Sequence, residues 1–386
     1  MKVKFLICLT ILALVVSACA GNGPASETTL NPQKYPNSAS PVQINAPVIE
    51  TPALVKLDML NELDGWGVTA TQIVRTNDGG LTWYNVTPPD VTETGYGVQY
   101  LVRDANTAWV QIPDFNSFPN SGFLYRTRDG GMNWSKSTTP FSGGDLEFLD
   151  EDNGWMLADL GVGAGSNAVA VYRTTDGGAN WTLAYTNDPN QANAGDALPL
   201  GGLKSGIAPL NMQTAFVYGV IYAPGTAYLF RTDDGGETWA QVTSPPLPEG
   251  AENAELSIDQ LAFLTPNDGL MTMRVTSQES NLAVYTSNDA GDTWSLTPTL
   301  IPIGGSADFL SATEAVIYNG EQFYVTSDAA RTWNTISPDI VFGDTFAQMD
   351  FVNLSSGWVL TLDPTTNQSS LYRTTDGGST WLPVLP

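Results

Sequence analysis

The 386-residue chain contains no histidine, only two cysteines, and 15 lysine plus arginine residues against 40 aspartate plus glutamate. Without histidine there is no Ser-His-Asp triad, no imidazole-ligated zinc and no imidazole acid or base near neutral pH. Any chemistry rests on carboxylates, tyrosine, lysine or arginine. The shortage of basic residues leaves a formal net charge of −25, which repels nucleic acid and anionic lipid head groups. No apolar run is long enough to span a bilayer. Charged residues make up only 14% of the chain and apolar ones 42%, enough for a core, so a disordered chain is excluded. Abundant instead are 37 Gly, 25 Pro and 11 Trp, a composition of short strands joined by tight turns.

Lys2 and Lys4 precede an apolar stretch over residues 5–16 with the charge and length of a secretory signal. The stretch ends in Val16-Ser17-Ala18-Cys19, which resembles the lipobox of bacterial lipoproteins. The resemblance implies cleavage before Cys19, lipidation of that residue, and a protein held at the cell envelope on the extracytoplasmic side of a membrane. An ordinary signal peptide with Cys19 incidental is the alternative. Cys8 lies in the discarded segment, so the mature chain has no pair of cysteines for a disulfide. Removal of Lys2 and Lys4 leaves 13 basic against 40 acidic residues, a net of −27. Residues 20–53, rich in Gly, Asn, Ser, Thr and Pro, read as a flexible tether. The expected organisation is a signal peptide over residues 1–18, the lipidated cysteine and tether over 19–53, and one folded domain over 54–386.

That domain is repetitive. Arg75-Thr76-Asn77-Asp78-Gly79-Gly80-Leu81-Thr82-Trp83 recurs at residues 126–134, 173–181, 231–239 and 373–381, with weaker copies at 286–294 and 325–333. The seven tryptophans are spaced by 51, 47, 58, 55, 39 and 48 residues, the length of a four-stranded propeller blade. Before each box stands a small residue followed by a large apolar one: Gly65-Trp66, Ala108-Trp109, Gly154-Trp155, Ala215-Phe216, Gly269-Leu270, Ala315-Val316 and Gly357-Trp358. Each unit therefore reads as strand a, turn, strand b, strand c, box and strand d. The expected fold is all-β: a seven-bladed β-propeller of four-stranded antiparallel blades, ending near residues 86, 137, 184, 242, 297, 336 and 386. Residues 43–49 are candidates for an additional strand.

In the box, an Asp accepts backbone N–H bonds, the Gly residues permit positive φ, the Thr or Asn adds a hydrogen bond, and the Trp packs beneath. The structural residues are Asp78, Asp129, Asp176, Asp234, Asp289, Asp328 and Asp376, with Trp83, Trp134, Trp181, Trp239, Trp294, Trp333 and Trp381. One carboxylate per turn is too few for a hard cation, so no metal or other cofactor is expected. Ala290 in the fifth box and Ala329-Ala330 in the sixth replace glycine, and those turns are expected to be distorted or less stable.

These units resemble the Asp-box, or bacterial neuraminidase repeat, and more closely the repeats of the photosystem II stability and assembly factor family. The resemblance covers residues 54–386 and implies a propeller. The assembly-factor family is associated with a basic surface, from which this acidic chain departs. Asp-boxes also occur in sialidases and xyloglucan-hydrolysing enzymes. A sialidase needs three converging arginines, and only Arg274 follows a strand b toward the loop-rich face.

Length variation falls in the b–c and d–a connections, at residues 111–123, 158–168, 182–206, 240–257 and 362–370, and loops gathered on one face are where binding usually lives. Candidate binding residues there are Arg274, Phe115, Phe118, Tyr185, Tyr222, Asp114 and Glu252. Candidate carboxylates for chemistry are Asp114, Asp145, Asp188, Asp196, Glu249, Glu252 and Glu255, which the sequence does not pair. The leading expectation is a lipid-anchored, non-catalytic binding or assembly scaffold, not an enzyme, with no assigned catalytic residue. Its partners would be the membrane, through the lipid on Cys19, and a protein or glycan ligand. The alternative is a carboxylate-based glycoside hydrolase or lyase on the same face, which a close, partly buried pair of acids in the central mouth would favour.

Overall fold

The computed structural model describes residues 43–94, 98–114, 116–191, 193–302, 305–366 and 368–385. The signal segment, Cys19 and the tether up to residue 42 lie outside the described residues, as does Phe115. The chain is an all-β propeller, with one short 3-10 turn, Gly343–Thr345, as its helical element among the described residues.

Twenty-nine strands form six hydrogen-bonded sheets among the described residues. The first has five: β1 (Val48–Ile49), β2 (Leu54–Met59), β3 (Gly65–Thr69), β4 (Ile73–Thr76) and β5 (Trp83–Asn85), with β1 on the outer edge against β5. The second contains β6 (Gln99–Val102), β7 (Ala108–Pro113), β8 (Gly122–Thr127) and β9 (Ser135–Thr139). The third contains β10 (Gly144–Phe148), β11 (Gly154–Gly163), β12 (Ser166–Thr174) and β13 (Thr182–Thr186). An eight-stranded sheet follows. Its first half is β14 (Leu203–Pro209), β15 (Ala215–Val220), β16 (Ala227–Thr232) and β17 (Ala240–Gln241). Its second half is β18 (Glu255–Phe263), β19 (Gly269–Thr276), β20 (Ser280–Ser287) and β21 (Ser295–Pro302). The fifth sheet is β22 (Ser306–Phe309), β23 (Ala315–Tyr318), β24 (Phe323–Thr326) and β25 (Asn334–Ile336). The last is β26 (Phe346–Phe351), β27 (Gly357–Leu362), β28 (Ser369–Thr374) and β29 (Leu382–Pro383).

Seven separate four-stranded sheets are therefore not what forms. Val220 on β15 pairs with Ser257 on β18 and fuses two meanders into one sheet, and β1 lengthens the first. Residues 158–168 are also not a loop: β11 and β12 continue as a ladder to the Gly163–Ser166 pair, leaving a two-residue turn.

The small-then-large signature has a packing cause. The last residue of each first strand lies over the first residue of the next, so a Cβ at Gly65 would sit 2.3 Å from the Met59 sulfur, and one at Gly357 2.5 Å from the Phe351 ring. The following aromatics, Trp66, Trp109, Trp155, Phe216 and Trp358, are fully buried. Each carries an arginine of the adjacent third strand over its face, from Arg75 on Trp66 at 5.4 Å to Arg373 on Trp358 at 4.9 Å.

The box turns share one hydrogen-bond set. In the first, Thr76 Oγ1 donates to Asp78, Gly80 N donates to Thr76 Oγ1 (2.9 Å), and Thr82 N donates to Asp78 Oδ1 (2.8 Å). The hydroxyl residue two positions before the Asp is thus a third member beside the Asp and the glycines. The two alanine-containing turns keep these bonds, with Gly291 N on Ser287 at 2.9 Å and Ala330 N on Thr326 at 3.1 Å. They are not distorted; they hold Ala290, Ala329 and Ala330 at φ of 60°, 59° and 60°, so strain replaces the expected distortion.

Why alanine is tolerated there follows from the neighbouring repeat. A Cβ at Gly130, Gly177 or Gly235 would lie 1.9, 1.8 or 1.9 Å from Nη1 of Arg75, Arg126 or Arg173 in the preceding repeat. In the repeat preceding Ala290 the corresponding arginine is Arg231, whose Nη1 donates to Asp292. The repeats preceding the boxes of Ala329 and Gly377 have Thr286 and Val325 in place of the arginine.

The ring closes without exchanging a strand: β2 to β5 come from the N-terminal side of the domain and β26 to β29 from the C-terminal side. Side chains on β26 hold the seam. Gln348 accepts from Leu57 N (3.0 Å) and donates to Leu57 O (2.6 Å), while Asp350 accepts from Met59 N. Across the seam Trp358 Nε1 donates to Gly79 O (3.1 Å) and Ser356 to Glu62 (3.0 Å). The same ladder links other neighbours: Asp308 on β22 accepts from Phe351 N (2.6 Å), and Asp145 on β10 accepts from Ile207 N (2.7 Å).

Candidate active site

The innermost strands face the propeller axis, where β2, β6, β18, β22 and β26 enclose a polar space of about 570 Å³. Lys56, Asp58, Tyr100, Gln260, Ser306 and Asp308 are among its walls. Most of these side chains are committed: Lys56 Nζ donates to Val98 O (3.1 Å), and Asp308 belongs to the ladder just described. The next two innermost strands, β10 and β14, carry a different arrangement.

β10 reads Gly144-Asp145-Leu146-Glu147-Phe148. Leu146 is buried, and the Phe148 ring stacks on Trp109 at 4.0 Å. Alternation along a strand turns Asp145 and Glu147 to the opposite face, toward β14, where Asp145 takes its bond from Ile207 N. Gly206 on β14 leaves a gap: a Cβ there would lie 2.4 Å from Tyr218 Oη and 2.8 Å from Asp145 Oδ2. The missing side chain lets the Tyr218 hydroxyl, from β15, approach the acids.

Both acids keep part of their surface accessible while lying deep inside the ring, and this shapes their ionisation. Burial pushes the Asp145 carboxyl up to about 6, opposed by the Ile207 N–H. Burial, then the charge of Asp145, holds Glu147 well above the usual carboxylate range. Burial, then the charges of Asp145 and Glu147, also raises Tyr218. Environments that separate two carboxyls in this way suit one to stay protonated and the other to ionise. Two strand steps of about 3.4 Å put their Cβ atoms roughly 7 Å apart.

Of the carboxylates named from sequence, Asp145 is thus in the interior, whereas Asp188 is half-buried and Asp196, Glu249, Glu252 and Glu255 are exposed. Glu147 was not anticipated; the signal available was the apolar alternation of β10, which places two acids on one face. The predicted binding residues are spread over three sheets. Arg274 lies on β19 and is held by Asp259 through Nη2 (2.6 Å) and Nε (3.0 Å). Tyr185 is 7% exposed and its hydroxyl accepts from Leu198 N (3.0 Å), so it anchors its loop instead of facing a ligand. Asp114 accepts from Asn116 N (3.0 Å) within its own turn. Phe118 and Tyr222 are exposed, Tyr222 lying against Gly165, and the Glu252 carbonyl abuts Gly225.

No protein-family model matches the chain. It is similar to a probable oligoxyloglucan-reducing end-specific xyloglucanase of Neosartorya fischeri, 28% identical over 226 residues, which are 50% of this chain and 26% of that protein. It is also similar to a xyloglucanase of Paenibacillus sp, 27% identical over 40% of this chain and 18% of that protein. The chain therefore spans about a quarter or less of the length of the curated relatives it matches. Among solved structures, YCF48 bound to D1 peptide superposes with a TM-score of 0.51 at 16% identity, covering 91% of this chain and 99% of that one. An ancestral GH74 enzyme superposes with a TM-score of 0.51 at 10% identity, covering 86% and 48%. These structural likenesses establish the propeller fold. The expectation of a chain without enzymatic character is corrected by the curated relatives, both of which are named as xyloglucanases, the first as a probable one.

Proposed function

We propose that the protein is a glycoside hydrolase acting on a neutral, xyloglucan-like glycan, with Glu147 and Asp145 as its two carboxylates. The observation that carries this reading is the placement of the pair on one face of β10, deep in the ring yet accessible. Glu147 is the general acid: burial, and then the charge of Asp145, favour the protonated form of its carboxyl. Asp145 is the general base, its anion supported by the Ile207 N–H. It takes a proton from water as that oxygen attacks the anomeric carbon, while Glu147 gives its proton to the departing oxygen. Tyr218 fixes the position of the sugar or water between them. The xyloglucanase names of the curated relatives support the substrate class, and the net charge of −25 disfavours anionic polysaccharides.

Incubation with xyloglucan oligosaccharides and with other neutral and acidic glycans, read by release of reducing ends, tests the reading. Hydrolysis of the neutral glycans, with kcat lowered about 10²–10⁴-fold in Glu147→Gln, is expected. A protein that cleaves none of them, or whose Glu147→Gln variant retains full rate, refutes it.

Seven box repeats and the single-pair join between β15 and β18 support counting the eight-stranded sheet as two blades, which gives a seven-bladed ring of Asp-box type. The lipobox-like Val16-Ser17-Ala18-Cys19 supports lipid anchoring through Cys19 outside the cytoplasm, where a glycan substrate would be met. Loss of metabolic acyl labelling in Cys19→Ser checks that part.

A further inference from the structure

Where an inner strand carries an acid next to its last residue, a backbone N–H of the next inner strand can claim it, and at Glu147 that N–H is missing. Counting back from the end of each inner strand, Asp308, Asp350 and Glu147 occupy the same place, since the residues after them, Phe309, Phe351 and Phe148, pair with Ala315, Gly357 and Gly154. Asp308 accepts from Phe351 N (2.6 Å), and Asp350 from Met59 N. Those donors are the last residues of their own inner strands, Met59 pairing with Gly65 and Phe351 with Gly357. The residue of β14 in that place is Pro209, which pairs with Ala215 and has no N–H to give. The rung two residues earlier is intact here as at the seam, Asp145 taking Ile207 N just as Gln348 takes Leu57 N. A proline is tolerated because the innermost strand is an edge, with no ladder partner on the axis side.

We infer that Pro209 is a positioning residue: by withholding the N–H that claims the corresponding acid at the β22–β26 and β26–β2 junctions, it leaves the Glu147 carboxyl free to donate a proton to a ligand in the channel. This rests on the proposed function for its catalytic consequence, while the state of Glu147 is measurable apart from it. The titratable groups facing Glu147 are Asp145 on its own strand and Tyr218 on β15, with Asp259, held by Arg274, beyond Tyr218 on β18.

The test is Pro209→Ala, which restores the donor without changing the inner-edge position of β14. The carboxyl titration of Glu147, followed by carbon-13 NMR in the wild type and in Pro209→Ala, with Glu147→Gln to assign the signal, is expected to move to lower pH. The gain of one backbone donor should lower its proton affinity at least about tenfold. Glycan hydrolysis, where the wild type shows it, should lose its alkaline limb over the same interval, and on the Glu147→Gln background Pro209→Ala should change neither titration nor rate further. An unchanged Glu147 midpoint in a folded Pro209→Ala protein overturns the inference. A shifted midpoint in a protein that hydrolyses no glycan leaves Pro209's control of Glu147 standing and removes the hydrolase reading. Should Pro209→Ala fail to fold, Pro209→Gly restores the same N–H and is judged by the same midpoint.

Discussion

The same substitution, made in opposite directions at two boxes, should have opposite signs. Gly177→Ala inserts a Cβ 1.8 Å from Arg126 Nη1 and 2.8 Å from Glu151 O, at φ +73°. The left-handed conformation costs an alanine about 1–2 kcal/mol. Arg126 must also leave the Trp109 face, where it sits at 5.4 Å, a loss of about 1 kcal/mol. Its ion pairs with Glu151 and Asp152, at 3.4 and 3.7 Å, face solvent and add little. Less the 0.4–1 kcal/mol or so gained through a stiffer unfolded chain, the sum is a destabilisation of about 2 kcal/mol. Ala329 occupies the equivalent place at φ 59° with no arginine in the preceding repeat. Ala329→Gly relieves about 1–2 kcal/mol and gives back about 0.4–1 kcal/mol through the looser unfolded chain, so it should stabilise slightly. Urea unfolding at constant slope, comparing midpoints, reads both. Arg126→Ala should make Gly177→Ala less harmful, a coupling of about 1 kcal/mol. Destabilisation by both changes, or additivity of Arg126→Ala with Gly177→Ala, would refute the claim that the approaching arginine dictates glycine.

Hydrolysis requires Asp145 ionised and Glu147 protonated, so the rate should climb as pH passes about 6 and fall at the higher pH where Glu147 ionises; a flat profile across pH 5–9 counts against the pair. Because Asp145 is raised from 3.8 to about 6 on folding, its contribution to stability is complete below pH 3.8 and is lost as pH rises through 6. Asp145→Asn should therefore stabilise by about 2 kcal/mol at pH 7.5, with solvent access taken into account, and by nothing near pH 3.5. Unfolding midpoints at the two pH values decide this. At the seam, Asp350→Ala leaves Met59 N without its acceptor and should cost about 1–3 kcal/mol, seen as a lower denaturant midpoint; an unchanged midpoint would mean that the ring does not depend on this rung.

Much of the fold was readable because its cause is local. The box residues lie within nine positions of one another, and the small residue before each buried aromatic answers to a side chain six positions earlier, as Gly65 does to Met59. The site was less readable. Asp145 could be named as one acid among several, but Glu147 looked like an ordinary strand residue, and Tyr185 looked like a ligand contact until its hydroxyl was seen to take Leu198 N. Distortion of the alanine turns was expected because positive φ alone was considered, while the arginine that enforces glycine comes from the preceding repeat.

Turn chemistry and strand alternation act between near neighbours along the chain, and from them the sequence alone determined a repeating all-β architecture built on Asp-Gly turns. Only the tertiary structure decided which carboxyl is satisfied and which is not. Ile207 lies 62 residues from Asp145, and Pro209 is as far from Glu147. A hydrogen bond made or withheld across two adjacent inner strands sets the ionisation of each acid, and no spacing within β10 contains that information.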